Sequence, residues 1–575
     1  MNWEQNPENL NKTLENVLKN RFSEFKNEKT VSEYYKIPLM KDACKLIMQF
    51  KNKVIRVIGD YDVDGITSST SLTLILRDIG VTNFKIRLPK RFSEGYGLSQ
   101  KIVEEILNEN IEPGLIILVD NGISAVSAVE ILKKAGWKVL ILDHHIANKD
   151  LGIPDADILI DPHAGTESTF VDYCGAGLVY KLAQYMKSIK LLSDNAFLKI
   201  SSLACIGTIA DSVKLIEEND SCFGYDNYII VRDGLKNLLK NEARTTGLYA
   251  LLRAANLDYS IDEDKIAYTL APIINASGRL YDDGATKVYE LLAMDGADIN
   301  SADAVSLELI EINQKRKDMT ADALFDVYAI IEHNHMENDY PLIVYKEDLH
   351  PGLVGLIAGN LSEKYRTNVF VFSKKENNIL TGSGRGLSRL FHLKETLDCA
   401  SDLLLGYGGH AQAAGLSLIE DNLDKFVSIM KTLAGEKPLC PRYYDFEANT
   451  EDIKQAIDTF SVYKPFGTGN ECPVFKVPFN AVGRNYYSVL GNAGKVLKIS
   501  GKNVEAIEFS GKGIEQFSAL EYPRDTILYG KLNLNFFMGQ STCQIIISDM
   551  IKNNYNEPKL KKTSDTKTFL QSLLS

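Results

Sequence analysis

Three β-rich apolar runs constrain this chain more than any other feature. They are "KVIRVIG" (53–59), "LIILV" (115–119) and "KVLIL" (138–142), separated by stretches of helical period such as "ITSSTSLTLILRDIG" (66–80) and "AVSAVEILKKAG" (125–136). Apolar runs alternating with helices specify a parallel sheet covered on both faces. Such sheets bind ligands just beyond the carboxyl ends of their strands, so the residue after each run matters most. After the first comes Asp60, in "GDYDVDG"; after the second, Asp120 and Asn121, in "VDNGIS"; after the third, Asp143, His144 and His145, in "LDHH". A fourth segment, "SLACIGTIADSV" (202–213), reads as a helix that stays apolar until Asp211.

Asp60, Asp62 and Asp64 occupy alternate positions of one loop. Like charges this close repel and raise one another's pKa unless a cation sits among them. With Asp120, His144 and Asp211 they make an oxygen-and-imidazole ligand set without thiolate, suited to Mn²⁺ or Mg²⁺ rather than structural zinc. The carboxylates outnumber what one ion needs. The pattern therefore predicts two ions sharing a bridging carboxylate, an arrangement that suits phosphoester hydrolysis. A calcium loop of the EF-hand kind would need glutamate at position 71, where the chain has Ser71. Gly65 is expected to let the chain turn tightly into the next helix.

Composition removes other classes. At 575 residues the chain is too long for one core, and its 45% hydrophobic and 24% charged content is ordinary for a soluble protein. No apolar run approaches the roughly 20 residues of a membrane helix. The polar start "MNWEQNPENLNKTLENVLKNRF" lacks a secretory signal, which places the protein in the cytoplasm with no membrane partner. The eight cysteines include no C-x-x-C pair, against a zinc ribbon or disulfide framework. A net charge of -12 argues only mildly against nucleic acid, since an acidic protein can carry a basic groove.

Residues 300–335 read as one helix without internal Gly or Pro, its period carried by Leu307, Ile310, Lys317, Leu324 and Val327, and long enough to bridge two lobes. Next, "YPLIVYKEDLHPGLVGLIAGNLSEKYRTNVFVFS" (340–373) reads strand, loop, helix, strand, followed by "GSGRG" (382–386) and "GYGGHAQAAGLSL" (406–418). Beyond a boundary near 436–442 the residues alternate as strands with glycine turns, as in a small β-barrel or sandwich. The predicted fold class is α/β: a parallel-sheet domain (46–299) after an N-terminal helical extension (1–45), a connecting helix (300–335), a smaller α/β domain (336–436), a β-barrel domain (437–555) and a polar, frayed tail (556–575).

"GDYDVDG", "VDNGIS", "LDHH" and "GTIAD", in this order, resemble motifs one to four of the DHH phosphoesterase superfamily. Within it, "GYGLS" (95–99), "LAPIINASGRL" (270–280), "LHPGLVGLIAG" (349–359), "GSGRG", "GYGGHAQAAGLSL" and "PFGTGNECPVF" (465–475) resemble the RecJ family of bacterial single-strand-specific exonucleases. The likeness runs from about residue 40 to 550. It implies that Asp62, Asp64, Asp120, His144 and Asp211 hold metal, with Asp120 as the bridge. Asp60 and Asp143 then ligate or orient the ligands, and His145 faces the substrate phosphate. It also implies a DHH-associated second lobe in which Gly408 and Gly409 offer an anion-binding nest of backbone N–H groups and His410 donates to the scissile phosphate. Arg385 and Arg279 become phosphate clamps, Asn275 a neighbouring hydrogen-bonder, and His350 a further substrate-binding candidate.

The resemblance implies a two-metal exonuclease on single-stranded DNA, acting 5′ to 3′ and releasing mononucleotides in recombination and repair. It further implies an OB-like C-terminal domain, in which Tyr486, Tyr487, Phe536 and Phe537 beside Lys495 and Lys498 are candidates for stacking on bases, though most such rings belong to a core. A monomer is expected, with a single-strand-binding protein and a helicase as partners by family analogy. One alternative keeps the fold and takes short oligoribonucleotides or cyclic dinucleotides. The other, a catalytically dead strand-binding scaffold, is at odds with an intact ligand set.

Overall fold

The short strands predicted from the apolar runs pair side by side in a computed structural model, which describes residues 3–22, 37–147, 151–168, 170–219, 222–296, 298–386, 392–409, 411–437, 441–491, 495–537 and 540–553. Strands β1 (Ile55–Ile58), β2 (Phe84–Arg87), β3 (Leu115–Val119), β4 (Lys138–Leu142) and β5 (Ile158–Ile160) form one wholly parallel sheet in the order β2-β1-β3-β4-β5. One face packs Ile58, Ile116, Leu118, Val139 and Ile141 against Ile102 and Ile106 of helix α2 (Gln100–Asn108) and Val129 and Leu132 of helix α3 (Val126–Lys134).

Helix α1 (Val63–Asp78) covers the other face and is buried all round from Val63 to Leu76. Its run of Ser and Thr suits this burial. Thr67, Thr70 and Thr73 turn their hydroxyls onto carbonyls one turn back, at 2.8–2.9 Å. The small side chains let helices α4 (Gly175–Ser188) and α5 (Asp194–Ala210) pack closely on α1.

Helix α6 (Ala271–Leu280) leads to the long helix α7 (Ile299–His333), which packs against α6 and the helix Thr246–Ala254 and also reaches helix α8 (Val354–Tyr365) of the second lobe. The expected bridge is present, but its buried stripe is Ala302, Ser306, Leu309, Ile312, Thr320, Val327 and Ile331, while Leu307 is exposed. The second lobe's sheet joins β6 (Leu342–Tyr345), β7 (Val369–Lys374), β8 (Ile379–Arg385), β9 (Leu404–Gly409) and β10 (Ala413–Ile419) in the order β9-β10-β8-β7-β6, parallel only between β6 and β7.

All of these elements belong to one compact unit, Ser32–Cys440; a second is made of Met1–Val31 and Pro441–Ser575. In the second unit β11 (Phe446–Glu447), β12 (Phe475–Asn480), β13 (Tyr487–Leu490), β14 (Val496–Ser500), β15 (Val504–Glu508), β16 (Asp525–Phe537) and β17 (Gln540–Lys552) form a seven-stranded sheet ordered β11-β12-β16-β17-β15-β14-β13. The N-terminal segment is part of this β unit, not only a helical lead-in to the first sheet. Trp3–Gln5 is a strand paired in parallel with Arg442–Tyr444, and Leu14 and Leu18 of the helix Leu14–Arg21 insert beside Phe446, Phe460 and Phe475. The tail 556–575, His410 and the side chains of Phe536 and Phe537 lie outside the described residues. Among the described residues, no helix is long and apolar enough to cross a membrane.

Candidate active site

The ionisable residues that follow the strands meet at the carboxyl edge of the first sheet. Asp62 caps α1, accepting the Gly65 N–H at 3.1 Å. Asp64, one residue into the helix, takes the N–H groups of Gly175 and Ala176, the first turn of α4, at 2.6 and 2.9 Å. That helix start carries partial positive charge and favours the carboxylate. Gly65 does not serve as a turn. It sits inside α1, where a Cβ would lie about 2.6 Å from the Asp60 backbone, so glycine is needed for close approach.

Asp120 has φ +58°, a left-handed conformation uncommon outside glycine. Its N–H bonds Leu142 O at 2.9 Å, and its carbonyl accepts the Tyr96 hydroxyl at 2.6 Å. Both bonds help hold the carboxylate towards His144, whose Nε2 is 3.1 Å from Asp120, 3.7 Å from Asp211 and 3.9 Å from Asp64. Asp211 closes the ring as the residue that ends α5. Three overlapping groups bring ligand atoms within 4.8 Å of one another: Asp60, Asp62 and Asp120; Asp64, His144 and Asp211; Asp120, His144 and His145.

The electrostatics are those of a cation site. Burial, then the charges of neighbouring aspartates, push Asp60, Asp120 and Asp211 well above the ordinary carboxylate range. Asp60 Oδ1 is buried with no hydrogen-bond partner in the protein. Burial and the charge of His145 push His144 down to about 4, leaving the neutral imidazole that ligates metal. Asp143 lies one step out. It accepts the Ile123 N–H at 2.8 Å and His145 Nδ1 at 2.7 Å. Burial opposes both charges of this pair, but their mutual attraction prevails, holding Asp143 at about 2 and lifting His145 to about 9. Hard oxygen donors, an unsatisfied carboxylate and a neutral imidazole fit Mn²⁺ or Mg²⁺.

Beside the carboxylates stands a group of guanidinium ions. Arg279 and Asn275 share one face of α6, four residues apart, and a Cβ on Gly278 would lie 3.3 Å from Tyr61 O, so this helix rests on the acidic loop. Burial first, then the charges of Arg91, Arg385 and Arg316, depress Arg279 to about 9. Arg385, at the end of β8, donates to Ser383 Oγ at 2.9 Å and Gly384 O at 2.8 Å. Arg91 lies over the Tyr61 ring, 4.5 Å from its centroid. Sequence reasoning missed Arg91 and Arg316, although Arg91 stands four residues before the quoted "GYGLS".

Gly408 and Gly409 lie on the edge strand β9, paired with Gly415 and Ala414. Gly409 has φ +139°, so the backbone departs from regular strand geometry next to Gly408. His350 is engaged within the protein: its Nδ1 accepts the Gly352 N–H at 3.1 Å, and Phe92 packs edge-on at 5.6 Å. These contacts place His350 where the loop before α8 meets loop 88–96. In the β unit, Tyr486 is part-buried under Arg524, while Tyr487 stacks on Tyr522 at 5.4 Å with both rings substantially exposed. Lys498 is paired with Glu505.

Residues 54–208 match the DHH family, N-terminal domain; residues 338–436 match the DHHA1 domain, and 444–549 the RecJ OB domain. Over 404 residues the chain is 31% identical to the single-stranded-DNA-specific exonuclease RecJ of Dickeya dadantii, covering 67% of each. The chain belongs to the RecJ family. RecJ of Haemophilus influenzae is 28% identical over 570 residues, 94% of this chain and 93% of that one. The crystal structure of Thermus thermophilus RecJ in complex with Mn²⁺ superposes with a TM-score of 0.71 at 25% identity, covering 91% of this chain and 72% of that one. The RecJ likeness thus spans the catalytic lobe, the second lobe and the β unit.

Proposed function

We propose that this protein is a metal-dependent exonuclease that hydrolyses single-stranded DNA from its 5′ end, releasing mononucleotides in recombination and repair. The observation that carries the reading is the juxtaposition of two strained charge clusters. Burial and neighbouring carboxylates hold Asp120 and Asp211 above their usual pKa, and burial and neighbouring guanidinium groups hold Arg279 below its own. Divalent ions and a phosphodiester satisfy both. The activity of the relatives, single-stranded-DNA-specific exonucleases, supplies the substrate class.

Asp62, Asp64, Asp120, His144 and Asp211 would hold two ions, Asp120 and His144 each belonging to two of the ligand groups. Bound there, the ions supply Lewis acidity and a nucleophilic oxygen at neutral pH. His145, kept protonated by Asp143, donates to the scissile phosphate. Arg279, Arg385 and Arg91 bind its oxygens and stabilise the charge that builds as phosphorus is attacked. Tyr487 and Tyr522 offer exposed rings on which unpaired bases can stack. The setting that fits is a cytoplasmic monomer working with a single-strand-binding protein and a helicase.

The test supplies Mn²⁺ or Mg²⁺ with 5′-labelled single-stranded DNA, the matching blunt duplex, a short RNA and a cyclic dinucleotide. Rapid release of labelled mononucleotide from the single strand alone is expected, with loss of at least about 10³-fold in Asp120→Ala. Preference for the RNA or the cyclic dinucleotide would reassign the substrate.

A further inference from the structure

The loop 88–96 leaves β2 and crosses between the acidic cluster and the second lobe. It carries Arg91, stacked on Tyr61, and Tyr96, whose hydroxyl bonds the Asp120 carbonyl. No helix or strand runs through it; Glu94 closes its middle by accepting the Lys90 N–H at 2.8 Å, and what ties the loop to the rest of the lobe comes from outside it. That tie is Asp282, two residues past the end of α6. Asp282 Oδ1 accepts the Phe92 N–H at 2.7 Å and the Ser93 N–H at 3.1 Å, and Oδ2 accepts the Ser93 hydroxyl at 2.6 Å. Its carbonyl accepts the Arg91 N–H at 3.1 Å. One residue thus takes four bonds from three consecutive loop residues, three of them to an ionised acceptor and so of the stronger kind. From the other side His350 packs edge-on against Phe92.

We infer that Asp282 is a positioning residue for the nuclease reaction, locking loop 88–96 to the end of α6 so that Arg91 and Arg279 present their guanidinium groups to the same stretch of phosphate backbone. The inference rests on the single-strand reading above. Arg91 and Arg279 arrive on different elements, and an arginine side chain on a loose loop would lose its alignment. A carboxylate is needed because two acceptor oxygens serve three donors. Asparagine keeps one of those oxygens and loses the other. Asp282 lies outside the ligand groups, and Tyr96 at the far end of the loop keeps its own bond to the Asp120 carbonyl, so loss of Asp282 should fall on DNA binding rather than on the metal.

The experiment uses the full chain as wild type, Arg91→Ala, Asp282→Ala, Asp282→Asn and the double variant R91A/D282A. Anisotropy of a labelled oligothymidylate in EDTA, over a range of salt, reads binding without turnover; calorimetry reads Mn²⁺ affinity; initial rates separate kcat from KM. Asp282→Ala should weaken oligonucleotide binding about tenfold and lower the salt slope by about 0.7, as Arg91→Ala does. It should leave Mn²⁺ affinity within about twofold and add nothing once Arg91 is absent. Asp282→Asn should fall between it and wild type. Multiplicative losses in the double variant, or weakened Mn²⁺ binding with unchanged oligonucleotide binding, would overturn the role of Asp282. Should Asp282→Ala fail to fold, Ser93→Ala removes one bond to the same carboxylate and carries the same cycle with Arg91→Ala. A wild type that neither binds nor cleaves the single strand would instead overturn the functional reading itself.

Discussion

Gly207 has no room for a methyl group. A Cβ there would lie 2.6 Å from Thr67 Oγ1 and 2.7 Å from both Ala176 Cβ and Asp64 Oδ1. Asp64 is already fixed by the Gly175 and Ala176 amides, so the clash must push the carboxylate off those donors or part α1 from α5. Gly207→Ala is expected to cost about 1–3 kcal/mol of stability and to weaken Mn²⁺ binding about 10–100-fold, the range typical when the support of a metal ligand is disturbed. A thermal melt and a calorimetric Mn²⁺ titration check both numbers, and normal affinity in a folded variant would refute the support role. The aspartates themselves were legible, because carboxylates that follow buried parallel strands must gather at one edge. Arg91 was not: Tyr61 and Arg279, which define its place, are distant in sequence and reach it only through tertiary packing. The left-handed backbone of Asp120 was equally hidden, since aspartate gives no sign of it in advance.

Among the elements, helix length was easier to read than helix facing. The absence of Gly and Pro fixed α7 as a single helix, but its neighbours change along its length, from α6 and Thr246–Ala254 to α8, so no one periodic stripe describes it. Leu307 satisfies the period and still faces solvent. Contact between the lobes depends on another element pair. The loop before α8 approaches α6 so closely that a Cβ on Gly352 would lie 2.8 Å from the Arg279 carbonyl carbon and run into its oxygen. Backbone cannot yield as a side chain does, so Gly352→Ala should drive the loop and α6 apart. The expected result is a several-fold rise in KM for single-stranded DNA with Mn²⁺ affinity unchanged, measured by steady-state kinetics beside calorimetry. An unchanged KM would mean that the Arg279 helix is placed without help from the second lobe.

At the scale of the molecule, chain order misleads. The first residues precede the catalytic sheet, and contiguity assigns them to it. Physical burial assigns them elsewhere: Trp3 stacks on Tyr529 at 4.5 Å and donates to Asp549 at 2.8 Å, while Leu18 is fully buried among residues more than 400 positions away. A short amphipathic helix is marginal alone and takes the core that accepts its apolar face, here one in which Phe446, Phe460 and Phe475 pack with aliphatic side chains of the C-terminal strands. The β unit is thus closed by both ends of the described chain, and its stability should depend on a residue near the start. Leu18→Ala removes a wholly buried side chain and should cost that unit about 2–5 kcal/mol. Hydrogen exchange in the full chain can localise the loss. Amides of β16 and β17 should lose protection by orders of magnitude, while those of β1 and β3 should exchange at the wild-type rate. Uniform loss in both sheets would show that the two units unfold as one; no loss in β16 and β17 would show that the N-terminal helix only decorates a core already complete without it.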